Sequence, residues 1–333
     1  MNILIVRLGA LGDIVHAVPA AAALRHAFPD ARIDWLVESK HRPIVDLVTC
    51  IDRVVPLERP SVAGWLDVSR RMQEIQYDVA IDFQGLMKSA VLARASGAPR
   101  VIGFSIWHLR EKAARPFYSE IHRDTPTERA DHVVRQNLAL LQNLGVDDMT
   151  IRFPFAEVHS DALAEIRTTL GDDRPFALIN PGAAWPNKRW PPERFGEVAA
   201  FLREIRDLPS CVLWGPGEEG LAGAVVERSD GAARVAPATR IADLLALSRA
   251  AALMISGDTG PLHLAAAVGT PTVSLFGPTD PQRNGPWSAD DVAVSRYGSC
   301  GCHYERRCRR SAWCLESIDV AEVTAAVQQR FHR

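Results

Sequence analysis

Several stretches of this sequence combine residue types and spacings that could do chemistry, and most of them directly follow a short apolar run. Arg7-Leu8-Gly9-Ala10-Leu11-Gly12-Asp13 follows the first such run. Its glycines permit a tight turn and a close approach of backbone to ligand. The spacing is G-x-x-G followed by a carboxylate, which is not the G-x-G-x-x-G dinucleotide fingerprint. Asp13 is either a ligand-facing carboxylate or an N-cap that accepts a bond from a free helix N–H. Gly257-Asp258-Thr259-Gly260, followed by Pro261-Leu262-His263, carries the stronger signal. Proline suits the first turn of a helix, where its missing N–H has no partner to lose. The free N–H groups around Thr259 and Gly260, with the positive end of the helix dipole, make an anion site suited to a phosphate. The plain alternative is an ordinary helix capped by Asp258 or Thr259.

Pro181-Gly182-Ala183-Ala184-Trp185-Pro186-Asn187-Lys188 holds one of only four lysines in the chain. A point charge such as Lys188 could neutralise a diphosphate, or it could be solvated. Trp214-Gly215-Pro216-Gly217-Glu218-Glu219 could set a carboxylate on a ribose hydroxyl, or begin a helix with acidic residues in its first turn. The segment 110–129 gathers Arg110, Lys112, Arg115, His122, Arg123 and Arg129 with Phe117 and Tyr118. A basic loop of this kind suits an anionic acceptor, with a solvated surface as the alternative. Four of the six cysteines crowd between Cys300 and Cys314. Their spacing is not a paired C-x-x-C zinc pattern, so reduced thiols with no metal are expected.

Such residues need rigid elements behind them. The 333 residues are 47% hydrophobic and 23% charged, which suits two globular domains and excludes disorder, collagen and coiled coil. A formal net charge of -2 argues against a nucleic-acid coat. No apolar stretch approaches the roughly 18 residues of a membrane span, and the N-terminus lacks a signal-peptide pattern, so a cytoplasmic protein is expected. In the first half, apolar runs at Ile3–Val6, Ile33–Val37, Val54–Leu57, Val79–Phe83 and Arg100–Gly103 alternate with helical patterns, one of them beginning near Ile14. The second half repeats the rhythm with strands at Phe176–Asn180, Cys211–Trp214, Leu253–Ser256 and Thr272–Phe276. Helices are expected there at Glu193–Ile205, Glu219–Arg228, Ile241–Ser248 and Pro261–Val268. Runs buried on both faces and separated by helices predict parallel sheets. The polar, proline-containing passage near 147–160 predicts a break, giving domains 1–150 and 151–333 that face each other across a cleft. In such sheets ligands bind outside the carboxyl ends of the strands.

Taken together the motifs resemble glycosyltransferase family 9, the ADP-heptose:lipopolysaccharide heptosyltransferases, most closely the heptosyltransferase I type. The resemblance rests on Gly12-Asp13-Ile14-Val15-His16 with Pro19, and on Tyr77-Asp78-Val79-Ala80-Ile81-Asp82-Phe83-Gln84-Gly85-Leu86-Met87-Lys88-Ser89. It continues through Arg110-Glu111 with Phe117-Tyr118, Lys188-Arg189-Trp190, Asp258-Thr259-Gly260-Pro261-Leu262-His263 and Gly277-Pro278-Thr279-Asp280-Pro281. It implies an α/β chain of the GT-B class, two facing Rossmann-like domains with parallel sheets and a central cleft. The N-terminal domain would bind the acceptor, and the C-terminal domain, with the Cys-rich segment 300–314, the nucleotide sugar.

The resemblance further implies an inverting transfer of heptose from ADP-heptose to a Kdo-lipid A precursor of the lipopolysaccharide inner core, with no cofactor and no metal. No D-x-D, the usual diphosphate–metal clamp of the other main transferase fold, occurs in the chain. Asp13 matches the general base. Lys188, Asp258, Thr259, Gly260 and His263 match donor-binding positions, with Glu218 added from its loop. Gly12, Lys88, Arg110 and Arg115 are expected on the acceptor. Ala183 and Ala184 replace hydroxyl residues common in the family, which removes two side-chain phosphate contacts. The expected partners are a nucleotide sugar and an anionic lipid-linked acceptor, reached by peripheral contact with the cytoplasmic face of the inner membrane, and no nucleic acid. Competing readings on the same architecture are a nucleotide-sugar epimerase and a non-catalytic nucleotide-sugar binding protein.

Overall fold

A computed structural model describes residues 1–59, 61–123, 131–171, 174–308 and 310–332. Arg129 of the basic segment lies outside them. The chain divides into two compact units, Met1–Ala156 and Glu157–Arg333. The break therefore falls later than the expected residue 150. Backbone bonds explain the shift: Thr49 N–H donates to Pro154 O and Ala156 N–H to Leu47 O, each at 2.8 Å, and Val48 bridges Phe155. These bonds stitch the proline-containing passage to the first unit.

In the first unit β1 (Asn2–Val6) is buried from Ile3 to Val6 and pairs in parallel with β2 (Arg32–Glu38) and β4 (Val79–Asp82). Two-sided burial is why these strands read as continuous apolar runs. With β3 (Arg53–Leu57), β5 (Arg100–Gly103) and β6 (Glu120–Ile121) the order is β3-β2-β1-β4-β5-β6. The second unit contains β7 (Ala177–Asn180), β8 (Ser210–Val212), β9 (Ala233–Val235), β10 (Leu253–Gly257), β11 (Thr272–Phe276) and β12 (Val292–Ser295), in the order β12-β11-β10-β7-β8-β9. Both sheets are parallel throughout the described pairs. Counted from each unit's own first strand, both follow the same doubly wound order. That order reverses between β1 and β4 in one unit and between β7 and β10 in the other, which places a ligand crevice at the carboxyl ends of those pairs.

The helices of the second unit include Pro192–Arg206, Glu219–Glu227, Ile241–Ala250, Gly260–Ala267 and Val320–Phe331. Pro192–Arg206, Glu219–Glu227 and Val320–Phe331 pack their apolar faces with the sheet around Trp190, Phe195, Leu202, Ile255 and Leu275. Trp190 meets Phe195 edge-on at 4.9 Å, and its indole N–H donates to Ile318 O, so burial leaves no polar atom of that ring unmatched. Among the described residues no helix is long and apolar enough to cross a membrane.

Candidate active site

In the first unit the turn after β1 leads into a short helix, Leu11–Val15, and a second helix, Val18–Ala27, follows. The expected helix near Ile14 is thus two pieces, the first starting at Leu11. Ala10 holds the cap position and Asp13 stands inside the helix, its Oδ2 3.4 Å from the Ala10 N–H. Asp13 is therefore not an N-cap. Its carboxylate faces two guanidinium groups. Arg7 Nη2 lies 2.7 Å from Oδ2, and Arg110 Nη2 lies 3.2 Å from Oδ1. Arg7 is buried and also donates through Nη1 to Phe83 O, at the end of β4. Burial lowers the Arg7 guanidinium from its ordinary value, and the Asp13 charge pulls it back up.

Beside this pair, Leu8 N–H donates to Gln84 Oε1 at 2.8 Å, tying the ends of β1 and β4 together. Asp82 is fully buried and accepts from Tyr118 Oη at 2.7 Å, Ser89 Oγ at 2.8 Å and Gln84 N–H at 2.8 Å. Burial raises its carboxyl above the ordinary value, against the lowering from the Tyr118 and backbone bonds. A Cβ on Gly103 would meet the Tyr118 ring at 2.5 Å, so only glycine lets that ring lie against β5. The D-F-Q-G-L-M-K-S stretch thus builds a rigid floor around the β1 and β4 ends.

Of the residues expected on the acceptor, the structure brings Arg110 to Asp13 and buries Gly12 in the adjoining helix. Two others point elsewhere. Lys88 Nζ bonds Glu38 Oε1 at 2.8 Å, sharing that carboxylate with Lys40, while Arg115 Nη1 donates to Tyr118 O at 3.2 Å.

In the second unit the turns after β7 and β10 converge on Asp258. Its buried carboxylate receives Lys188 Nζ at 2.5 Å and Thr279 Oγ1 at 2.6 Å on Oδ2, and has His263 Nε2 at 3.0 Å from Oδ1. Burial alone would raise this carboxyl; the His263 hydrogen bond and the Lys188 charge outweigh it and hold the group well below the carboxylate range. Lys188 is mostly buried, with its Nζ 4.5 Å from the Trp185 ring centroid, and so is not merely solvated. A Cβ on Gly257 would meet Lys188 O at 2.7 Å, which is why the lysine's backbone can press against the end of β10.

Thr259 takes the cap position of the helix Gly260–Ala267 without a side-chain capping bond. Its hydroxyl turns instead to Ser256 Oγ at 2.9 Å and Asn180 Nδ2 at 3.1 Å. Asp258 is likewise turned away from capping. The ordinary capped helix is thus replaced by a helix start whose neighbouring side chains bond one another. Glu218 accepts from Gly215 N–H at 3.1 Å, lies 3.4 Å from Arg189 Nη2, and packs so closely on Gly182 that a Cβ there would sit 2.0 Å from Oε2. Lys188, Asp258, Thr259, Gly260 and His263 are therefore contiguous, and Glu218 sits over the loop that carries Lys188.

Arg7, Asn180, Ser256 and Thr279 carried no expected role. A polar residue standing at the end of a buried apolar run was the available signal for the first three; Thr279 had only its place in Gly277-Pro278-Thr279. Cys300, Cys302, Cys308 and Cys314 are free thiols, and those of Cys300 and Cys302 are buried and lie 3.4 Å apart. Burial pushes the Cys302 thiol up to about 12. Among the described residues no group of three or more His, Cys, Asp or Glu is arranged to hold a metal ion.

Comparison with known proteins bears on this arrangement. The sequence model of a family described as "Glycosyltransferase family 9 (heptosyltransferase)" matches residues 65–314. The chain is 30% identical to lipopolysaccharide heptosyltransferase 1 of Pseudomonas aeruginosa over 322 residues, 92% of this chain and 87% of that protein. In fold it resembles the crystal structure of a family 9 glycosyl transferase from Veillonella parvula, with a TM-score of 0.86 at 24% identity, covering 100% of this chain and 98% of that one. It also resembles E. coli heptosyltransferase WaaC with ADP, at a TM-score of 0.74 and 24% identity, covering 100% and 98%. The fold class is accordingly α/β, GT-B.

Proposed function

This chain belongs to glycosyltransferase family 9 and is a glycosyltransferase, and from that premise we propose that it transfers heptose from ADP-heptose to the Kdo-lipid A inner core of lipopolysaccharide, with inversion and without a metal ion. The observation that carries this reading is the Lys188–Asp258–His263 cluster beside the Thr259–Gly260 helix start, at the strand ends where the second sheet reverses order. Fixed donors of this kind offset diphosphate charge and stabilise the charge that develops on departing ADP. Asp258 holds the Lys188 ammonium in one place, so little reorganisation is needed when the bond to the sugar breaks. Glu218, anchored over Gly182, supplies a carboxylate for a ribose hydroxyl. In the first unit Asp13 takes the proton of the acceptor hydroxyl, and Arg110 beside it favours an anionic acceptor. A lipid-linked acceptor places the work at the cytoplasmic face of the inner membrane.

The direct test incubates the protein with ADP-heptose and Kdo-lipid A in EDTA and follows ADP release and the mass of the lipid product. A heptose-shifted lipid is expected. Donor conversion without acceptor would support an epimerase instead, and donor binding without turnover a binding protein; activity lost in EDTA and restored only by magnesium would overturn metal independence.

Two substitutions test the donor residues. Lys188→Ala is expected to weaken ADP binding by about 1.5–3 kcal/mol, the scale of a charged hydrogen bond, as read by titration calorimetry. Gly182→Ala is expected to displace Glu218 and weaken ADP binding by about 1 kcal/mol, the net worth of one hydrogen bond. Unchanged affinity in the second variant would remove Glu218 from the donor site.

A further inference from the structure

Among the described residues Asp13 is held by two arginines of different character. The Arg7 side chain is 4% exposed and Arg110 is 40% exposed, with Asp13 between them at 24%. Arg7 comes from the end of β1 and is itself fixed at a second point, through Nη1 on Phe83 O. One planar fork therefore ties the carboxylate to the end of β4, and neither contact leaves room for the guanidinium to rotate. Arg110 reaches Asp13 from the connection between β5 and β6, through a single nitrogen at 3.2 and 3.4 Å. His41, from the segment after β2, also faces this group, and Asp82 acts on Arg7 from β4. Burial, followed by Lys40, lowers His41 from its ordinary value and so favours its neutral form.

We propose that Arg7 is the positioning residue for Asp13, fixing the carboxylate in the orientation that receives the acceptor proton, while Arg110 is an exchangeable second partner that an anionic acceptor takes over. The inference rests on Asp13 acting as the base. A carboxylate with only exposed partners would sample several rotamers, whereas proton transfer requires it within hydrogen-bond reach of one hydroxyl. A buried guanidinium cannot leave when substrate arrives, so the hold persists through the reaction. The exposed arginine can exchange: its bond to Asp13 is longer and solvent-screened, and a carboxylate or phosphate on the acceptor offers it an equivalent partner. Acceptor binding thereby frees one lone pair of Asp13 as it delivers the hydroxyl.

The test is the pH dependence of ADP release by Arg7→Met, Arg7→Lys, Arg110→Met and Asp13→Asn. Loss of an adjacent positive charge raises a carboxylate pKa by about one unit or more, so Arg7→Met should move the acid limb of kcat/KM upward by that amount. It should also lower kcat by about 10- to 100-fold, a fraction of general-base catalysis, with the donor KM unchanged. Arg7→Lys should keep the acid limb in place and recover part of kcat, because the charge remains and only the fork is lost. Arg110→Met should chiefly raise the acceptor KM. An acid limb unmoved in Arg7→Met, with Asp13→Asn inactive, would reduce Arg7 to a structural role and leave the base intact; an active Asp13→Asn would overturn both readings. Should Arg7→Met fail to fold, Arg7→Lys decides alone: native kcat overturns the proposal, and a lowered kcat with the limb in place supports it.

Discussion

Asp13→Asn is expected to lower kcat by about 10²- to 10⁴-fold, roughly 3–5 kcal/mol at the transition state, while leaving ADP affinity nearly unchanged. A sugar hydroxyl is a poor nucleophile, and displacement in one step requires a base on the acceptor. Asparagine keeps the shape of the side chain and removes its basicity. The residues expected to hold ADP all lie in the other compact unit, from Lys188 to His263, so the donor should bind the variant as it binds the native protein. Asp13 accepts the Ala10 N–H from inside the helix, and asparagine keeps an oxygen for that bond. Arg7 does lose its ionic partner, so thermal unfolding should show a lower midpoint, and rates should be normalised to folded protein. Near-native turnover by the folded variant would reject the base.

The second large effect is on stability. Asp258→Ala is expected to destabilise the protein by about 3–5 kcal/mol, the penalty for removing one partner of a buried pair. Lys188, Thr279 and His263 would all face the vacancy, and the ammonium would have no compensating charge. Asp258→Asn should fall between, since it keeps an acceptor for Thr279. Urea unfolding reads both. The same carboxylate gives an acid signature. Its folded-state value lies below that of an unfolded aspartate, so its stabilisation is fully present above about pH 3.9 and is lost as the pH falls through the folded value. The Asn variant should therefore show a flatter decline of stability in acid. A decline as steep as the native one would mean that Asp258 is protonated or unpaired in solution.

How much was legible in the sequence divides along physical lines. Strands buried on both faces, such as β1, β2, β4, β10 and β11, announce themselves as apolar runs, and they were placed to within a residue or two. The missed strands β6, β9 and β12 all lie at sheet edges. They are two to four residues long, and at most one residue of each is fully buried, so hydrophobicity marks them weakly. Turn chemistry made Asp258, Thr259, Gly260 and Lys188 visible, because glycine and proline punctuate the chain where strands meet helices. The bonds from Asn180 to Ser256 and Thr259, and from Thr279 to Asp258, join residues far apart in sequence, and no local pattern encodes them. Lys88 shows the converse: its motif position suggested a ligand contact, and only the fold reveals Glu38 as its partner.

The identical strand order of the two sheets carries a consequence for how such an enzyme can diversify. On the proposed assignment the chemistry sits on the turn after β1 and the β5–β6 connection in one half, and on the turns after β7, β10 and β11 in the other. The ladders beneath those loops are made of backbone hydrogen bonds and are indifferent to the loop sequence. On that assignment, acceptor preference is expected to drift through the β5–β6 connection without disturbing nucleotide preference, and the reverse is expected for the loop that bears Lys188. Two specificities proposed to lie on separate parts should be recombinable, so grafting residues 104–117 from a relative, with Tyr118 kept for its bond to Asp82, is a route to a new acceptor that leaves the donor residues as they stand.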